Sequence, residues 1–277
     1  MRTRLLILAV GLGLVACATS EPARVSDGQS QATDQSRRAE LYPQVTNFLN
    51  EAAALEPVVL TPRLEFPTVG TLPGWRDKVC PTLSGLPGED GRFVLARVVE
   101  IARAAGVRVA GEHCSPNLYI FVTPQPTELL KGMDSSFDMF GPRGSPHLLD
   151  QFIATPRPVR VWYNIYGAGP SVSFKFAFTR VVVIVDQTRL QGVSRSQLAD
   201  YIAMVGLAEI KPDARLADVP TILRLFAGAP QTAPAGLTDL DQAFLKSLYL
   251  NSRSIPWKRE FAQSDQLTLR MVSTIAP

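Results

Sequence analysis

Histidine is scarce in this sequence. The 277 residues include two histidines, His113 and His147. Protein zinc sites use three or four ligands drawn from histidine, cysteine, aspartate and glutamate. We therefore predict that neither histidine is catalytic or binds a metal, and that the chain uses no cofactor.

Two further motifs are missing. There is no G-x-S-x-G sequence, which in many hydrolases exposes a serine nucleophile between a strand and a helix. Gly167 and Gly169 lie between two predicted strands, where they favour a turn over a phosphate-binding loop. The sequence thus offers no candidate for serine nucleophilic catalysis or for nucleotide binding.

Long hydrophobic runs are also rare, and the clearest one is at the start. Leu5–Ala16 follows Arg2 and Arg4 and is interrupted only by glycines. A membrane-spanning helix needs about 20 apolar residues, so this shorter run is more typical of a secretory signal peptide. It ends in Leu14-Val15-Ala16-Cys17, which resembles the lipobox of bacterial lipoproteins. We predict a signal peptide over 1–16 and lipidation of Cys17; the alternative is a plain signal peptide.

The lipobox resemblance carries expectations about location and partners. In bacterial lipoproteins, a residue other than aspartate after the cysteine usually implies the outer membrane, and here that residue is Ala18. We therefore expect an outer-membrane lipoprotein that faces the periplasm and contacts the membrane through its lipid. Removal of 1–16 takes away two arginines and no acid, which lowers the net charge from +3 to +1. This leaves no electrostatic case for nucleic acid as a partner.

The remaining cysteines form an even pair. Cys80 and Cys114 would stand in an oxidising compartment, which favours a disulfide between them. Such a bond would close a loop of about 35 residues and contribute roughly 3 to 4 kcal/mol to stability. Two buried free thiols are the alternative.

The sequence divides into regions of different composition. Residues 17–38 contain few large apolar side chains and are predicted to form a flexible tether. Residues 39–87 are predicted to form a short helix that begins near Pro43 and then an extended, proline-rich connector from 56 to 87. Residues 88–277 are predicted to form the folded domain.

The pattern within that domain predicts an α+β fold. A long, largely buried helix runs from Asp90, its expected N-cap, to Gly106, with a narrow polar stripe of Arg97, Glu100 and Arg103. Strands are expected at 107–110, 117–122, 159–166, 171–178 and 181–186, one or two short helices within 126–153, and helices after Ser194 and Thr238. Both of these residues begin a capping box, Ser194 with Gln197 and Thr238 with Asp241. The result is a mixed β-sheet with a long buried helix and a C-terminal helical part.

The helix after Ser194 contains LADYIAMVGLAEI, residues 198–210. Its spacing resembles the H-E-x-x-H-x-x-G-x-x-H motif of metzincin metalloproteases, in which three histidines bind zinc, the glutamate activates water and the glycine turns the chain. The matching positions are Ala199, Asp200, Ala203, Gly206 and Glu209. Alanine therefore stands at both helical ligand positions, aspartate at the base position and glutamate at the third ligand position.

Two later segments extend the resemblance. Thr221-Ile222-Leu223 resembles the Met-turn with leucine in place of methionine. Gly236-Leu237-Thr238 with Asp241, followed by Leu248-Tyr249, is similar to the helix that closes matrixin-type domains. The resemblance implies a zincin-like domain over 88–277 that lacks its zinc ligands, because alanine has no lone pair to offer. A degenerate domain of this kind implies a role in binding or scaffolding, with a protein or peptide partner in the cell envelope.

Other interpretations stay open. An atypical envelope hydrolase or peptidase could use Asp200 and Glu209, which would then share a cleft and include a carboxyl of perturbed pKa. A structural lipoprotein of unrelated α+β fold would not pack its long helix beside the helix after Ser194. The small residues Ala199, Ala203 and Gly206 are also explained by close packing alone. If Asp200 has no catalytic work, we expect Asp200→Asn to leave stability nearly unchanged.

Overall fold

The computed structural model describes residues 25–53, 72–136, 139–141, 146–168, 175–216, 219–249 and 263–276. The predicted signal peptide and Cys17 lie outside them. The helices are α1 Val25–Ala52, α2 Gly88–Ala105, α3 Pro126–Ser136, α4 Pro146–Ala154, α5 Arg195–Leu207, α6 Asp239–Tyr249 and α7 Gln263–Ile275. The strands are β1 Pro81–Ser84, β2 Leu118–Thr123, β3 Val159–Ala168 and β4 Lys175–Asp186. The predicted α+β class is confirmed.

The four strands form one mixed sheet in the order β1-β2-β4-β3. β1, β2 and β4 are parallel, whereas β3 runs antiparallel to β4 at one edge. Both faces of the sheet are covered. α2 and α5 pack in the larger core on one face, and α3 and α4 pack in a smaller core on the other.

The apolar run in β4 is explained by these two cores. Val181, Val183 and Val185 point into the larger core, while Val182 and Ile184 point into the smaller one. All five are fully buried. A strand between two covered faces needs apolar residues at every position, and β4 has such a place between β2 and β3.

Two predicted strands are in fact one. The segments 171–178 and 181–186 were expected to be separate, but β4 continues from Lys175 through Thr179 and Arg180 to Asp186. It is paired with β3 on both sides of Thr179, where the register of the two strands shifts between Asn164 and Ile165. Residues 171–174 lie outside the described residues.

The N-terminal helix is longer than predicted. α1 begins at Val25, so the expectation of a flexible tether was wrong from there to residue 38, and Pro43 lies inside the helix. Residues 30–42 contain neither glycine nor proline, so nothing in them ends a helix. Val45 and Phe48 in the second half of α1 are fully buried and join the larger core. Burial of this half, which packs on α7, holds α1 in place despite the donor that proline lacks.

The predicted connector is partly core. Of the range 56–87, residues 72–87 are described, and in them Leu72, Trp75 and Val79 are buried and β1 joins the sheet. Pro81 begins β1 at the edge of the sheet, a position that tolerates a residue without a donor. The backbone is extended as predicted, but it is packed. The predicted strand 107–110 is reduced to a single bridge between Val109 and Val79.

The ends of α2 show one prediction right and one wrong. Gly106 adopts a left-handed conformation, with φ of 90°, and its N–H bonds back to the last turn of the helix. The N-cap is Pro87 and not Asp90, and no side chain caps this end.

Near the start of β1, Cys80 forms a disulfide with Cys114, with the two Cα atoms 6.1 Å apart. Among the described helices, none has both the length and the apolar content needed to cross a membrane.

Candidate functional site

α5 is the most enclosed helix of the site. Ten of its residues from Gln197 to Leu207 are buried, and Tyr201 is the exception. The predicted capping box is present, with Ser194 Oγ accepting from the Gln197 N–H at 3.1 Å and Gln197 Oε1 accepting from the Ser194 N–H at 3.1 Å. Gln197 also donates through Nε2 to the carbonyls of Pro230 and Pro234, each at 3.0 Å. The helix therefore holds the loop that follows it.

The small residues of α5 are packed against neighbours. Ala199 and Ala203, at the two predicted helical ligand positions, are fully buried in the larger core. A Cβ atom on Gly206 would lie 3.2 Å from Leu118 Cδ1 of β2. The interpretation that these positions are small because other elements approach closely therefore agrees with the structure. The side of α5 that carries Ala199 and Ala203 is packed within the larger core.

Asp200 stands at the predicted base position and is held on both oxygens. Its Oδ1 accepts from Arg97 Nε at 2.8 Å, and its Oδ2 accepts from Arg97 Nη2 at 3.3 Å and from the Leu237 N–H at 2.7 Å. The side chain is 1% exposed. A Cβ on Gly236 would lie 2.6 Å from Asp200 Oδ2, so the close approach of this loop depends on glycine. Asp200 joins α2, α5 and the loop before α6.

The electrostatics agree with a structural ion pair. The hydrogen bond from Arg97 to Asp200 is the main cause that raises the pKa of Arg97 above its ordinary value. The Asp200 carboxylate is buried and its oxygens already accept from protein donors, so it is poorly placed to bind and activate a substrate water. These contacts predict a loss of stability in Asp200→Asn, in contrast to the small effect expected from the sequence.

A second buried carboxylate fixes the Met-turn-like segment. Asp241 of α6 accepts from the Thr221 hydroxyl, from the Ile222 N–H at 2.9 Å and from the Thr238 N–H at 3.0 Å. The Asp241 N–H in turn donates to Thr238 Oγ1 at 3.2 Å, which completes the predicted capping box. Burial raises the pKa of Asp241, although these hydrogen bonds oppose the shift. The 3₁₀ helix Ile222–Phe226 is thereby tied to α6.

The C-terminal end of α5 is capped by aromatic donors from three other segments. The Tyr163 hydroxyl lies 2.8 Å from the Val205 carbonyl and 3.1 Å from that of Ala208. Trp75 Nε1 donates to the Gly206 carbonyl at 2.9 Å, and the Tyr249 hydroxyl donates to the Leu207 carbonyl. We call Trp75, Tyr163 and Tyr249 the aromatic cap. It satisfies carbonyls that a helix end leaves without intrahelical partners.

Glu209, at the predicted third ligand position, is separate from Asp200. Glu209 comes two residues after the end of α5 and lies in the electrostatic range of Tyr163 of β3. The partners of Asp200, by contrast, come from α2 and from the loop before α6. Burial raises the pKa of the Glu209 carboxyl from 4.5 to about 7. The five predicted degenerate-site positions are thus close in sequence, but the structure does not bring their two carboxyls to a common partner.

Neither histidine completes a site. His113 is exposed in the loop before β2 and has a positive φ of 60°. His147 is exposed on α4, which packs on the face of the sheet opposite α5. Over the described part of the chain, no group of three histidine, cysteine, aspartate or glutamate side chains is placed to hold a metal ion.

Two features of the site were missed from sequence. Arg97 was read only as part of a polar stripe, yet this stripe marks the side of α2 that meets Asp200. The aromatic cap had a weaker signal, namely Trp75 and the tyrosines in otherwise apolar segments, since buried tryptophan and tyrosine need partners for their polar atoms.

Comparison of the chain with protein families, with curated proteins and with solved structures finds no match. The lipoprotein and zincin-like interpretations therefore remain predictions.

Proposed function

We propose that this chain is a non-catalytic lipoprotein of the bacterial cell envelope whose zincin-like domain acts by binding or scaffolding. The observation that carries the proposal is the state of Asp200. At the position where a metzincin has its catalytic glutamate, this carboxylate is buried and bonded to Arg97 and Leu237. The same position that would activate water in an enzyme serves here to hold three elements together.

The order of elements supports the zincin-like part. The resemblance implies a long helix, an apolar strand, the motif helix, a Met-turn-like segment and a closing helix, and α2, β4, α5, the 3₁₀ helix Ile222–Phe226 and α6 follow in that order. α2 also packs beside α5, a contact that the unrelated-fold alternative does not require. Asp241 adds a direct bond between the Met-turn-like segment and the closing helix.

The hydrolase alternative has one observation in its favour. It requires a carboxyl of perturbed pKa, and Glu209 meets this requirement because burial raises its pKa to about 7. It also requires that Glu209 and Asp200 share a cleft, and their different partners do not meet this second requirement. We therefore rank it below the non-catalytic role.

Metal content and proteolysis test the proposal together. We expect full-length protein, purified in detergent, to contain far less than one zinc per chain and to leave unstructured protein substrates intact. Inductively coupled plasma mass spectrometry and a fluorescent casein assay measure these two properties. Stoichiometric zinc, or proteolysis that Glu209→Gln abolishes, would overturn it in favour of an enzyme.

Lipidation is tested at Cys17. Cells fed an alkyne-tagged palmitate should label the wild-type protein and Cys114→Ser, but not Cys17→Ser. Sedimentation of membranes in a sucrose gradient then distinguishes the expected outer membrane from the inner membrane. Palmitate labelling that persists in Cys17→Ser would contradict the proposal that Cys17 is the lipidated residue.

The binding role is tested by cross-linking in intact cells. A photoreactive residue in place of the exposed His147 should capture an envelope protein or peptide if α4 borders the partner surface. A second photoreactive residue, in place of the exposed Glu112, tests the loop before β2 in the same way. Mass spectrometry identifies the captured chain. Recovery of the uncross-linked protein from every such position would count against a stable partner.

A further inference from the structure

A buried arginine lies between β3 and the two helices of the smaller core. Arg160 is the second residue of β3 and is 5% exposed. Its Nη1 donates to the Ile153 carbonyl in the last turn of α4, and its Nη2 donates to Thr127 Oγ1 in the first turn of α3, each at 3.0 Å. The guanidinium therefore joins the end of one helix to the start of another, on the face of the sheet opposite α5.

The charge of Arg160 is not balanced by a carboxylate in contact. Within the described residues, Arg160 forms no ion pair and its Nε has no hydrogen-bond partner. Asp186 lies in its electrostatic range, but Asp186 Oδ1 accepts from the N–H and the hydroxyl of Thr188, at 2.9 and 2.6 Å. Arg157 is also in range, where it adds a like charge, and it pairs with Asp213 at 2.9 Å. Arg160 thus keeps an unused donor.

A guanidinium in this position is unfavourable without a further acceptor. Burial is the main cause that lowers the pKa of Arg160; the charge of Asp186 opposes this shift, and the charge of Arg157 adds to it. A guanidinium has five N–H donors in a rigid plane, and a buried donor without an acceptor costs free energy. An apolar side chain of similar volume would avoid this cost. Support of α3 and α4 alone therefore does not account for an arginine here.

The first turn of α3, which Arg160 contacts, has unused donors of its own. Thr127 and Glu128 precede the first backbone hydrogen bond of the helix, which the Leu129 N–H makes to the Gln125 carbonyl. Their N–H groups have no partner within the helix, and the start of a helix carries a partial positive charge. The Glu128 side chain is 66% exposed and pairs with Lys131 at 3.0 Å. Thr127 is partly exposed, so this turn borders solvent.

The strands place these groups at one edge of the sheet. β2 and β4 are parallel and end together at Thr123 and Asp186, and α3 follows the end of β2. β3 is antiparallel to β4, so its start, with Arg160, lies beside the end of β4. In open α/β sheets, ligands bind at the edge formed by the carboxyl ends of the parallel strands.

We propose that Arg160 and the first turn of α3 form a binding site for a small oxyanion, either a phosphate or a carboxylate group. The oxygens of such a group accept hydrogen bonds from Arg160 Nε and from the N–H groups of Thr127 and Glu128. Phosphate and carboxylate match the planar donors of a guanidinium. Arg157 raises the local positive potential, whereas Asp186 opposes binding and limits the affinity. The site is independent of the proposed scaffolding role.

Binding of inorganic phosphate to the full chain in detergent, at constant ionic strength, tests the proposal. Isothermal titration calorimetry gives the Kd. At about ten times this concentration, the Tm of the wild-type protein should be about 4 °C higher than in chloride. Arg160→Met should lose most of this rise, whereas Arg103→Met, at an exposed position of α2, is the matched control and should keep it.

Phosphate also stabilises folded proteins in general, because it is excluded from their surfaces. This effect does not depend on one arginine. An equal rise in Tm for the wild type and Arg160→Met would therefore overturn the proposal.

NMR of the wild-type protein decides the question if Arg160→Met is poorly folded. On addition of phosphate, the Nε–H signal of Arg160 and the amide signals of Thr127 and Glu128 should shift together and saturate with one Kd, while amide signals of β1 stay unchanged. The same titration with acetate distinguishes the two sources, since the group that the site prefers binds with the lower Kd. If neither anion shifts these signals, the proposal is wrong.

Discussion

The two ends of α5 are held by opposite means. Near its start, Gln197 and Asp200 make hydrogen bonds to the loop that leads to α6, and Asp200 also forms an ion pair with Arg97. At its other end, uncharged aromatic donors meet the backbone carbonyls. Glu209 follows two residues after the helix, and within the described residues no hydrogen bond or ion pair to its side chain is seen. An acidic residue inside the helix is therefore fully bonded, whereas the one just beyond its end is not.

The difference shows what decides the role of a buried carboxyl. Asp200 is enclosed more completely than Glu209, but Arg97 and a backbone N–H replace the water it lost. Burial of the Glu209 carboxyl raises its pKa. Four substitutions test how far this contrast extends.

The largest effect is expected at the charged end. Asp200→Asn removes the charge opposite Arg97 and places an amide donor against the Leu237 N–H or Arg97. We expect a loss of about 3 kcal/mol in the free energy of unfolding, at the low end for a broken buried pair because Arg97 is 35% exposed. Urea unfolding followed by circular dichroism measures it. An unchanged urea midpoint would restore the earlier expectation that this residue is dispensable.

Substitution in the aromatic cap should reduce the free energy of unfolding by less than loss of the Arg97–Asp200 ion pair does. Trp75→Phe leaves the buried Gly206 carbonyl without its donor and removes part of the indole volume, which should cost about 2 kcal/mol. The same urea experiment applies. Trp162→Phe is a useful comparison, since Trp162 donates to the Phe140 carbonyl on the other face of the sheet, in a less buried position. Equal losses in both variants would remove any special role of the cap.

Tyr163→Phe tests the same end with less change in volume. The substitution deletes one hydroxyl that serves Val205, Ala208 and Ile210, and a loss of about 1.5 kcal/mol is expected. The ring still stacks on Phe178, with centroids 5.3 Å apart, so packing should be retained. Combined with Glu209→Gln, the two changes should not be additive, because Glu209 lies in the electrostatic range of Tyr163.

The smallest effect is expected from the exposed arm of the Arg97 network. Arg97 Nη1 bonds Glu100 Oε2 at 3.0 Å, but the Glu100 side chain is 66% exposed. Glu100→Gln should change the free energy of unfolding by no more than about 0.5 kcal/mol. A loss of stability comparable to that of Asp200→Asn would mean that Glu100 and Asp200 together hold Arg97 in place, and that Asp200 alone does not.

Features written into short stretches of sequence were predictable. The run of five apolar residues in β4, the capping boxes at Ser194 and Thr238 and the end of α2 at Gly106 are all present in the structure. Each depends on neighbours within a few residues. Alternation, capping and glycine conformation are local physical effects, so a single sequence reveals them.

Features that depend on distant contacts were not predictable. The role of Asp200 is decided by Arg97, 103 residues earlier, and the cap draws Trp75 and Tyr249 from positions 174 residues apart. The start of α1 was predicted wrongly for a different reason. Its polar residues are acceptable both in a helix and in a coil, and the local sequence gave no preference strong enough to decide.

The contact between α1 and α7 joins parts of the chain that are far apart in sequence. These two helices pack together, and Arg38 Nε donates to the Ala276 carbonyl at 3.0 Å across 238 residues. Closing so long a loop is slow, so we expect the packing of α1 on α7 to form late in folding. Without α7, the part of α1 that packs on it would be exposed, although Phe48 would still contact Phe244 of α6. A chain truncated before α7 should therefore be more open to proteases.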